Sequence, residues 1–215
     1  MAEPVKTRRA YHAPRRTRQA ARTRAAVLST ARELFLAQGY AATTLPQIAG
    51  AAEVSVETIY KAFGNKAGLL KAVFDVSVVG DDNAVPLLQR EHIARMRAEP
   101  DVRRVLRMYG EHIAESTPRS VPVQLLIKAA AATEPAVATL WLQLEEQRLT
   151  GMTVFATDLA ARGALRQNVS VEHARDVLWS YTAPEWYQLL VLKRGWTPQR
   201  LGAWIAEALT AALLG

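Results

Sequence analysis

The residues best suited to polar recognition lie on one face of a short predicted helix, residues 55–63. Glu57, Thr58 and Lys61 share its outer side, because side chains repeat every 3.6 residues around a helix. They offer an acceptor, a hydroxyl and a cation, which suit the donor and acceptor edges that bases present in a DNA major groove. The inner side of the same helix is mainly apolar: Val56, Ile59, Tyr60 and Phe63.

A second short helix comes just before this one, and the two predict a helix-turn-helix. Thr44 stands at its N-cap position, Pro46 falls in its first turn, and Ser55 caps the later helix. Its apolar stripe is Leu45, Ile48, Ala49 and Ala52. Helices this short cannot bury enough apolar surface alone, so a third helix, about residues 18–38, must support them. In such a motif the second helix can enter the major groove.

The positive charge of the chain lies just before this motif. The net charge is +7, and residues 1–24 hold eight of the 27 basic residues but one of the 20 acidic residues. The remainder is therefore balanced. A block of like charge is often a solvated, disordered tail. Beside a groove-reading helix, it also suits an arm that binds nucleic acid through counterion release and arginines in a minor groove.

Composition favours an all-helical protein that works inside the cell. Of the 215 residues, 50% are apolar and 7% aromatic, and glycine and proline lie mainly at segment boundaries. There is no cysteine, so disulfides and thiolate metal sites are excluded, and we expect a cytoplasmic location. No apolar run approaches the roughly 18–20 residues needed to span a bilayer, so we expect no membrane partner.

The motif also resembles a known family. Residues 21–74 read ARTRAAVLSTARELFLAQGYAATTLPQIAGAAEVSVETIYKAFGNKAGLLKAVF, which closely resembles the DNA-binding domain of TetR-family transcriptional regulators. The matching features include the ARELF helix, Gly39-Tyr40, Val54-Ser55, Thr58-Ile59-Tyr60 and Lys66. The resemblance covers about residues 20–80. The sequence departs from the family's habit at Val56-Glu57, where the family often has a basic or small residue followed by glycine.

The resemblance implies a set of DNA contacts. Thr44 should meet a phosphate at a helix N-terminus, Ser55, Thr58 and Tyr60 resemble phosphate and groove contacts, and Lys66 resembles a phosphate clamp. Glu57 could accept from cytosine and Lys61 could donate to guanine. The arm contributes four arginines: Arg15, Arg16, Arg18 and Arg22. Two alternatives stay open, because Glu57 could merely complement the helix dipole and Tyr60 could be a core aromatic with a wet hydroxyl.

The rest of the chain predicts a helical bundle behind a DNA-binding head. Periodicity indicates helices at about 66–79, 85–98, 101–116, 121–132, 135–162, 171–193 and 198–213, which gives nine to ten helices in all. Thr117-Pro118 and Val121-Pro122 are predicted breaks, and Pro184 should kink or restart its helix. We therefore expect an arm at 1–20, a head at 21–81 and a ligand-binding and dimerisation bundle at 82–215.

The last two predicted helices carry the largest apolar surfaces. Helix 198–213 keeps one stripe for three turns, while 171–193 is apolar on several sides and so needs several partners. In TetR-like proteins these helices pair with their copies in a homodimer, and an ordinary intrachain core is the alternative. The interface candidates are Trp186, Leu190, Leu201, Trp204, Ile205, Ala208 and Leu209.

The resemblance also implies a bundle pocket for an unknown small-molecule effector. The candidate lining residues are Met108, Tyr109, His112, Gln124, Ile127, Trp141, Phe155 and Trp179, for each of which core packing is the alternative. No two of the four histidines have metal-ligand spacing, and no phosphate-binding loop or nucleophile elbow occurs. We therefore expect no enzyme activity, cofactor or metal.

The sequence thus predicts a homodimeric regulator, most often a repressor, that binds double-stranded DNA at a palindromic operator. The alternative is a helical bundle that binds a small molecule but has lost sequence-specific DNA binding. A DNA-processing enzyme would need acidic or serine catalytic centres that the sequence does not place.

Overall fold

Helices account for most of the described chain. The computed structural model describes residues 13–82 and 89–215, with side chains from residue 17 onward. In chain order the helices are α1 (Ala13–Gln38), α2 (Leu45–Ala51), α3 (Val56–Phe63), α4 (Lys66–Val79), α5 (Glu91–Ala98), α6 (Val102–Ala130), α7 (Pro135–Ala161), α8 (Val171–Tyr181), α9 (Pro184–Trp186, continued by a π-helical segment Tyr187–Lys193) and α10 (Pro198–Leu213). The prediction of an all-α fold is confirmed.

Side-chain caps mark the starts of α2, α3 and α10. The Thr44 hydroxyl accepts from the Gln47 N–H, and the Gln47 side chain accepts in return from the Thr44 N–H at 2.8 Å, which completes a capping box. Ser55 Oγ accepts from the Thr58 N–H at 3.1 Å at the start of α3. Thr197 caps α10 in the same way. These caps satisfy backbone donors that a helix start otherwise leaves unpaired.

Helix α1 begins earlier than the sequence predicted. Its first residue is Ala13, so residues 13–17 are helical and not an irregular arm. Pro14 lies in the first turn, where its missing N–H breaks no helical hydrogen bond, and the residues after it are good helix formers. Residues 1–12 of the predicted arm lie outside the described residues.

Helix α6 runs without a break through both of its prolines, and the predicted stops at Pro118 and Pro122 are wrong. Side chains in these turns donate to carbonyl groups: Thr117 to Ile113 at 2.7 Å and Ser120 to Ser116 at 3.0 Å. The helix is also buried along much of its length. A proline inside a helix costs about 3 kcal/mol, and it would break α6 only if this cost exceeded the packing energy. Tertiary packing therefore outweighs the local signal.

Of two further predicted helix boundaries, the start of α5 differs from the prediction and the restart at Pro184 agrees with it. Arg90 is extended and caps α5, so the helix predicted from residue 85 begins at Glu91, and residues 85–88 lie outside the described residues. Pro184 does restart its helix, as predicted, because it stands at the first position of α9 where no N–H is required.

The core divides into a cluster that joins head and bundle and a second cluster within the bundle. In the first, Phe35, Ile48 and Ile59 of the head pack with Ile127 of α6 and Leu140 of α7. The helix-turn-helix packs on α1 and α4, and these two helices in turn contact α6 of the bundle. Among the described helices, none combines the length and the apolarity that crossing a bilayer requires.

The second cluster depends on a close crossing of α6 and α10. Gly110 and Gly202 face each other there, and a Cβ atom built on either glycine would overlap the carbonyl oxygen of the other. Leu201, Ile205 and Leu209 are buried along this contact. The crossing fixes α10 against the long helix that also lines the bundle interior.

Candidate DNA interface and ligand cavity

The outer face of α3 presents polar side chains from a rigid base. Glu57, Thr58 and Lys61 are exposed, whereas Ile59 on the inner face is fully buried. Tyr60 is 53% exposed, which argues against the alternative of a core aromatic. A helix anchored through its inner face and open along its outer face can enter a groove without rearranging.

The N-termini of α2 and α3 lie beside this face. Thr44 and Ser55 are both exposed, and each is engaged in capping its own helix. Ser55 Oγ also lies 2.8 Å from Thr58 Oγ1, so the two hydroxyls form a pair at the start of α3. Glu57 is in the first turn of α3, which keeps its helix-dipole alternative open.

Lys66 does not extend outward. Its ammonium donates to the Tyr40 carbonyl at 2.9 Å and to the Thr43 carbonyl at 3.1 Å, and it lies 4.0 Å from the centroid of the Tyr40 ring. These contacts tie the start of α4 to the loop between α1 and α2. Three contacts inside the chain hold the charge, which favours a structural role for Lys66 over the phosphate clamp that the resemblance implies.

The α1 arginines differ in their surroundings. Arg18 and Arg22 are exposed, and for Arg15 and Arg16 the helical backbone alone is described. Arg24, which the sequence did not single out, binds Asp82 at 2.7 Å and lies 4.6 Å from the centroid of the Phe63 ring. It therefore connects α1, the end of α3 and the segment after α4.

A cavity of about 810 Å³ lies within the bundle and reaches Arg24. Four of the eight predicted lining residues border it: Tyr109, His112, Gln124 and Phe155. The other four do not, and we drop them from the candidate set: Met108, Ile127, Trp141 and Trp179. Met108 packs on the bundle core, while Ile127 and Trp141 belong to the cluster that joins head and bundle. The Arg148 guanidinium covers the Trp179 ring, with its Cζ atom 4.3 Å from the ring centroid.

Arg148 is the main charged group of the cavity, and sequence reasoning missed it. Its side chain is 14% exposed. It donates to Glu145 at 2.7 Å, to the Trp179 carbonyl and to Thr182. Nothing in the local sequence distinguishes Arg148 from a surface arginine of α7, because its burial comes from the packing of α8 against α7.

His112 lines another part of the cavity wall and stacks on His92. The rings of His92 on α5 and His112 on α6 lie 4.5 Å apart and are nearly parallel. Burial, with His92 and Arg119 nearby, lowers the pKa of His112 to about 4. Burial also lowers the pKa of His92, and Arg90 and Arg95 add to the effect while Glu115 opposes it. Both rings are therefore neutral near pH 7.

The predicted dimer residues fall into two groups. Leu201, Ile205 and Leu209 are buried inside the chain against α6, so they have no surface for a partner and their assignment is corrected. Trp186, Leu190, Trp204 and Ala208 are partly exposed. The ring centroids of Trp186 and Trp204 lie 5.0 Å apart. Leu189 and Leu192, which are close to Trp186 in sequence, are 46% and 57% exposed. For the buried three, the intrachain alternative holds.

Comparisons with known proteins agree with this architecture. The sequence model for bacterial regulatory proteins of the tetR family matches residues 27–73. NalD of Pseudomonas aeruginosa, the secondary repressor of the MexAB-OprM multidrug efflux pump, is 21% identical over 92% of this chain and 98% of its own, with a TM-score of 0.68. GusR of Salmonella enterica is 18% identical over 89% and 95%, with a TM-score of 0.65.

A third similar structure was solved with a small molecule. A protein of Saccharomonospora viridis classed as a transcriptional regulator, in complex with choline, is 18% identical over 90% of this chain and 98% of its own, with a TM-score of 0.63. At such identities the likeness establishes a shared fold. A comparison with curated sequences finds no match.

The matched region contains α2 and α3, which present the polar face, together with the C-terminal part of α1 and the first part of α4. The shared fold extends over the bundle as well. Within the described residues, no group of three or more metal-binding side chains occurs. Residues 27–73 therefore match the tetR family of bacterial regulatory proteins, and the chain shares its all-α fold with the solved regulators named above.

Proposed function

We propose that this protein is a homodimeric repressor that binds a palindromic operator and releases it when a small molecule enters the bundle. The observation that carries the proposal is the face of α3, where Glu57, Thr58, Tyr60 and Lys61 are exposed above a fully buried Ile59. A rigid helix with an exposed polar face is the element that reads base edges in a helix-turn-helix.

The proposed contacts follow from chemistry and exposure. Lys61 would donate to guanine, Glu57 would accept from cytosine, and Thr58 and Tyr60 would reach base or phosphate. Thr44 and Ser55 would place the N-termini of α2 and α3 against phosphates. Lys66 would act indirectly, because its bonds to the α1–α2 loop position Thr44.

The basic N-terminal segment would add affinity without adding much specificity. Arg18 and Arg22 are exposed on α1, and the sequence before them is rich in arginine. We propose that this segment, including Arg15 and Arg16, binds phosphates or a minor groove next to the site of α3. Deleting residues 1–12 should then weaken binding and reduce its dependence on salt.

For the homodimer we propose the surface around α9 and α10. Its partly exposed aromatic and aliphatic side chains are Trp186, Leu189, Leu190, Leu192, Trp204 and Ala208. Aromatic residues are enriched in protein interfaces, and exposed leucines are costly to leave in water. Leu192→Glu should give monomers in sedimentation experiments, whereas Leu36→Glu on α1 should leave the dimer intact.

For regulation we propose the cavity as the effector site. Its volume of about 810 Å³ lies within the range of about 300–1,000 Å³ seen for small-molecule sites. A likeness to a protein that was crystallised with choline supports a small-molecule site in this fold. We divide the chain functionally into the arm at 1–20, the head at 21–81 and the bundle at 82–215, although one apolar cluster spans head and bundle.

A mobility-shift experiment on the DNA upstream of the protein's own gene tests the proposal. We expect a specific complex that survives competition by unrelated DNA and weakens steeply as salt rises. Lys61→Gln should reduce discrimination at one base pair, while Tyr60→Ala should weaken all sequences about equally. No specific shift at any salt concentration would contradict the regulator and favour the alternative, a bundle that binds small molecules without sequence-specific DNA binding.

A further inference from the structure

The cavity is lined mainly by apolar side chains. Ile113, Met152, Phe155, Leu201 and Ile205 contribute apolar surface from α6, α7 and α10. Burying apolar area gives about 25 cal/mol per Å², so most of the binding energy must come from an apolar part of the ligand. The chemical class of the ligand is then decided by the few polar groups that line the same space.

Among the lining side chains that form ion pairs, Arg148 is the most buried. Its side chain is 14% exposed, whereas the side chains of the lining carboxylates Asp75, Asp81, Asp82 and Asp158 are between 27% and 51% exposed. Glu145, which pairs with Arg148, is not a lining residue. The charge that the protein presents in the buried part of the cavity is therefore positive, from Arg148, and the lining carboxylates are more exposed to solvent.

The Arg148 guanidinium is fixed, and one of its donors is unused. One face covers the Trp179 ring, and its two terminal nitrogens donate to Glu145, Thr182 and the Trp179 carbonyl. Its Nε–H is buried and has no acceptor among the described residues. A buried donor without a partner is costly, and hydrogen bonds from a charged donor are among the stronger ones. Glu145 Oε1 is likewise buried without a donor, but Arg148 lines the cavity and Glu145 does not, so a ligand in the cavity can bring an acceptor to the guanidinium.

We propose that the cavity binds amphipathic organic acids, with the carboxylate at Arg148 and the apolar part between α6, α7 and α10. This inference rests on the proposed role of the cavity as the effector site. Aromatic rings that line the cavity, such as Tyr109 and Phe155, would by themselves also suit a cation. Arg148 is paired with Glu145 at 2.7 Å, but the guanidinium is the member of the pair that lines the cavity, so it disfavours a ligand cation placed against it.

Three probes with the same ten-carbon chain separate the possibilities. Decanoate, decanol and decyltrimethylammonium are titrated into the full-length protein below their micelle concentrations, with binding followed by calorimetry. We expect decanoate to bind about tenfold or more tightly than either other probe. In parallel, decanoate but not decyltrimethylammonium should release the protein from its upstream DNA in the mobility-shift experiment.

Variants of Arg148 test the contact itself. Arg148→Met should reduce decanoate affinity by about tenfold while changing decanol affinity less than about twofold, and Arg148→Lys should retain part of the preference for the acid. Arg107→Met, an exposed arginine of α6 that does not line the cavity, is the matched control. Circular dichroism and thermal melting of each variant establish that it is folded before binding is measured.

The outcomes are distinguishable. Tighter binding of decyltrimethylammonium, equal binding of all three probes, no binding of decanoate, or an unchanged acid-to-alcohol ratio in folded Arg148→Met would overturn the assignment. If the protein still shifts its upstream DNA in any of these cases, the proposed regulator stands and the ligand class alone is rejected. If decanoate binds through Arg148 but no DNA shifts, the ligand class stands and the regulator is rejected.

Discussion

Arg24 of α1 donates from Nε to Asp82 Oδ2 at 2.7 Å, and its guanidinium carbon lies 4.6 Å from the centroid of the Phe63 ring. The same side chain borders the bundle cavity. One residue therefore contacts the last turn of α3, the segment after α4 and the space proposed for the effector. Arg24 is therefore a physical connection between the cavity wall and the end of α3.

We expect Arg24→Gln to weaken operator binding more than Asp82→Asn does. Arg24→Gln removes both the ion pair and the contact with Phe63, whereas Asp82→Asn removes the ion pair alone. Each should change the free energy of unfolding by less than about 1 kcal/mol, because the Arg24 and Asp82 side chains are 38% and 27% exposed. Fluorescence anisotropy with labelled operator measures the affinities.

The salt dependence separates support of α3 from a direct phosphate contact. If Arg24 acts through Phe63, the slope of log affinity against log salt stays the same in Arg24→Gln. A slope that falls by about one unit would instead mean that Arg24 binds a phosphate. Equal losses of affinity in Arg24→Gln and Asp82→Asn would show that the ion pair, and not the ring contact, positions α3.

Lys66 and Lys61 should separate stability from recognition. Lys66→Met removes two charge-assisted hydrogen bonds to the Tyr40 and Thr43 carbonyls and should lower the free energy of unfolding by about 1–3 kcal/mol. Lys61→Met changes an exposed side chain and should stay within about 0.5 kcal/mol of the parent while weakening DNA binding. Chemical denaturation and anisotropy on the two variants give both quantities. A fully stable Lys66→Met that loses DNA binding would restore the phosphate-clamp role.

The crossing of α6 and α10 should be intolerant of a single methyl group. Gly202→Ala places a Cβ against the Gly110 carbonyl oxygen and should lower the free energy of unfolding by about 1–3 kcal/mol. Gly151→Ala is the matched control on α7, where nothing lies within 4 Å of the added atom. It should be neutral or stabilise by up to about 1 kcal/mol, because alanine favours the helix. Equal stability of the two variants would contradict the close crossing.

The His92–His112 pair should make the protein sensitive to acid. The folded-state pKa of His112, about 4, lies below the ordinary value of 6.5, so the unfolded chain takes up the proton first as pH falls. Above about pH 7, His112 is neutral in both the folded and the unfolded state, so its titration does not change the free energy of unfolding. As the pH falls from about 6.5 to 4, the free energy of unfolding decreases. His112→Gln should remove a loss of about 2 kcal/mol at pH 4.5.

Differential denaturation at pH 7.5 and pH 4.5 measures that effect. His173→Gln on α8, an exposed position, is the control for the loss of a histidine. A difference between parent and His112→Gln that stays constant across this pH range would mean that His112 is solvated in the folded state. A parent protein that loses more stability between pH 7.5 and pH 4.5 than His112→Gln does would support the buried, stacked pair.

The sequence predicted the head well because its signals are local. Thr44, Ser55 and Thr197 are caps whose hydrogen bonds lie within three residues, and the apolar face of α3 follows from spacing alone. The prediction of helix breaks at Pro118 and Pro122 is wrong because the packing that keeps α6 continuous comes from residues distant in sequence. Leu201 and Ile205 were assigned to a partner for a related reason: an apolar stripe does not say which surface covers it.

The cavity was the least predictable part. Tyr109 and Phe155 pack edge to face with centroids 4.9 Å apart, but the same aromatic residues on two helices would suit a filled core equally well. Arg148 and Arg24 gave no signal, because a buried arginine and an exposed one look alike in a helical sequence. Only the arrangement of α1, α6, α7 and α8 places their charges beside an apolar space.

A DNase I footprint on the DNA upstream of the protein's own gene tests the central claim most directly. We expect two protected half-sites related by a dyad, because a homodimer presents two copies of α3. Protection should be lost in Tyr60→Ala at a concentration where the parent protein protects fully. No protected site at any salt concentration, or a site without dyad symmetry, would contradict the account.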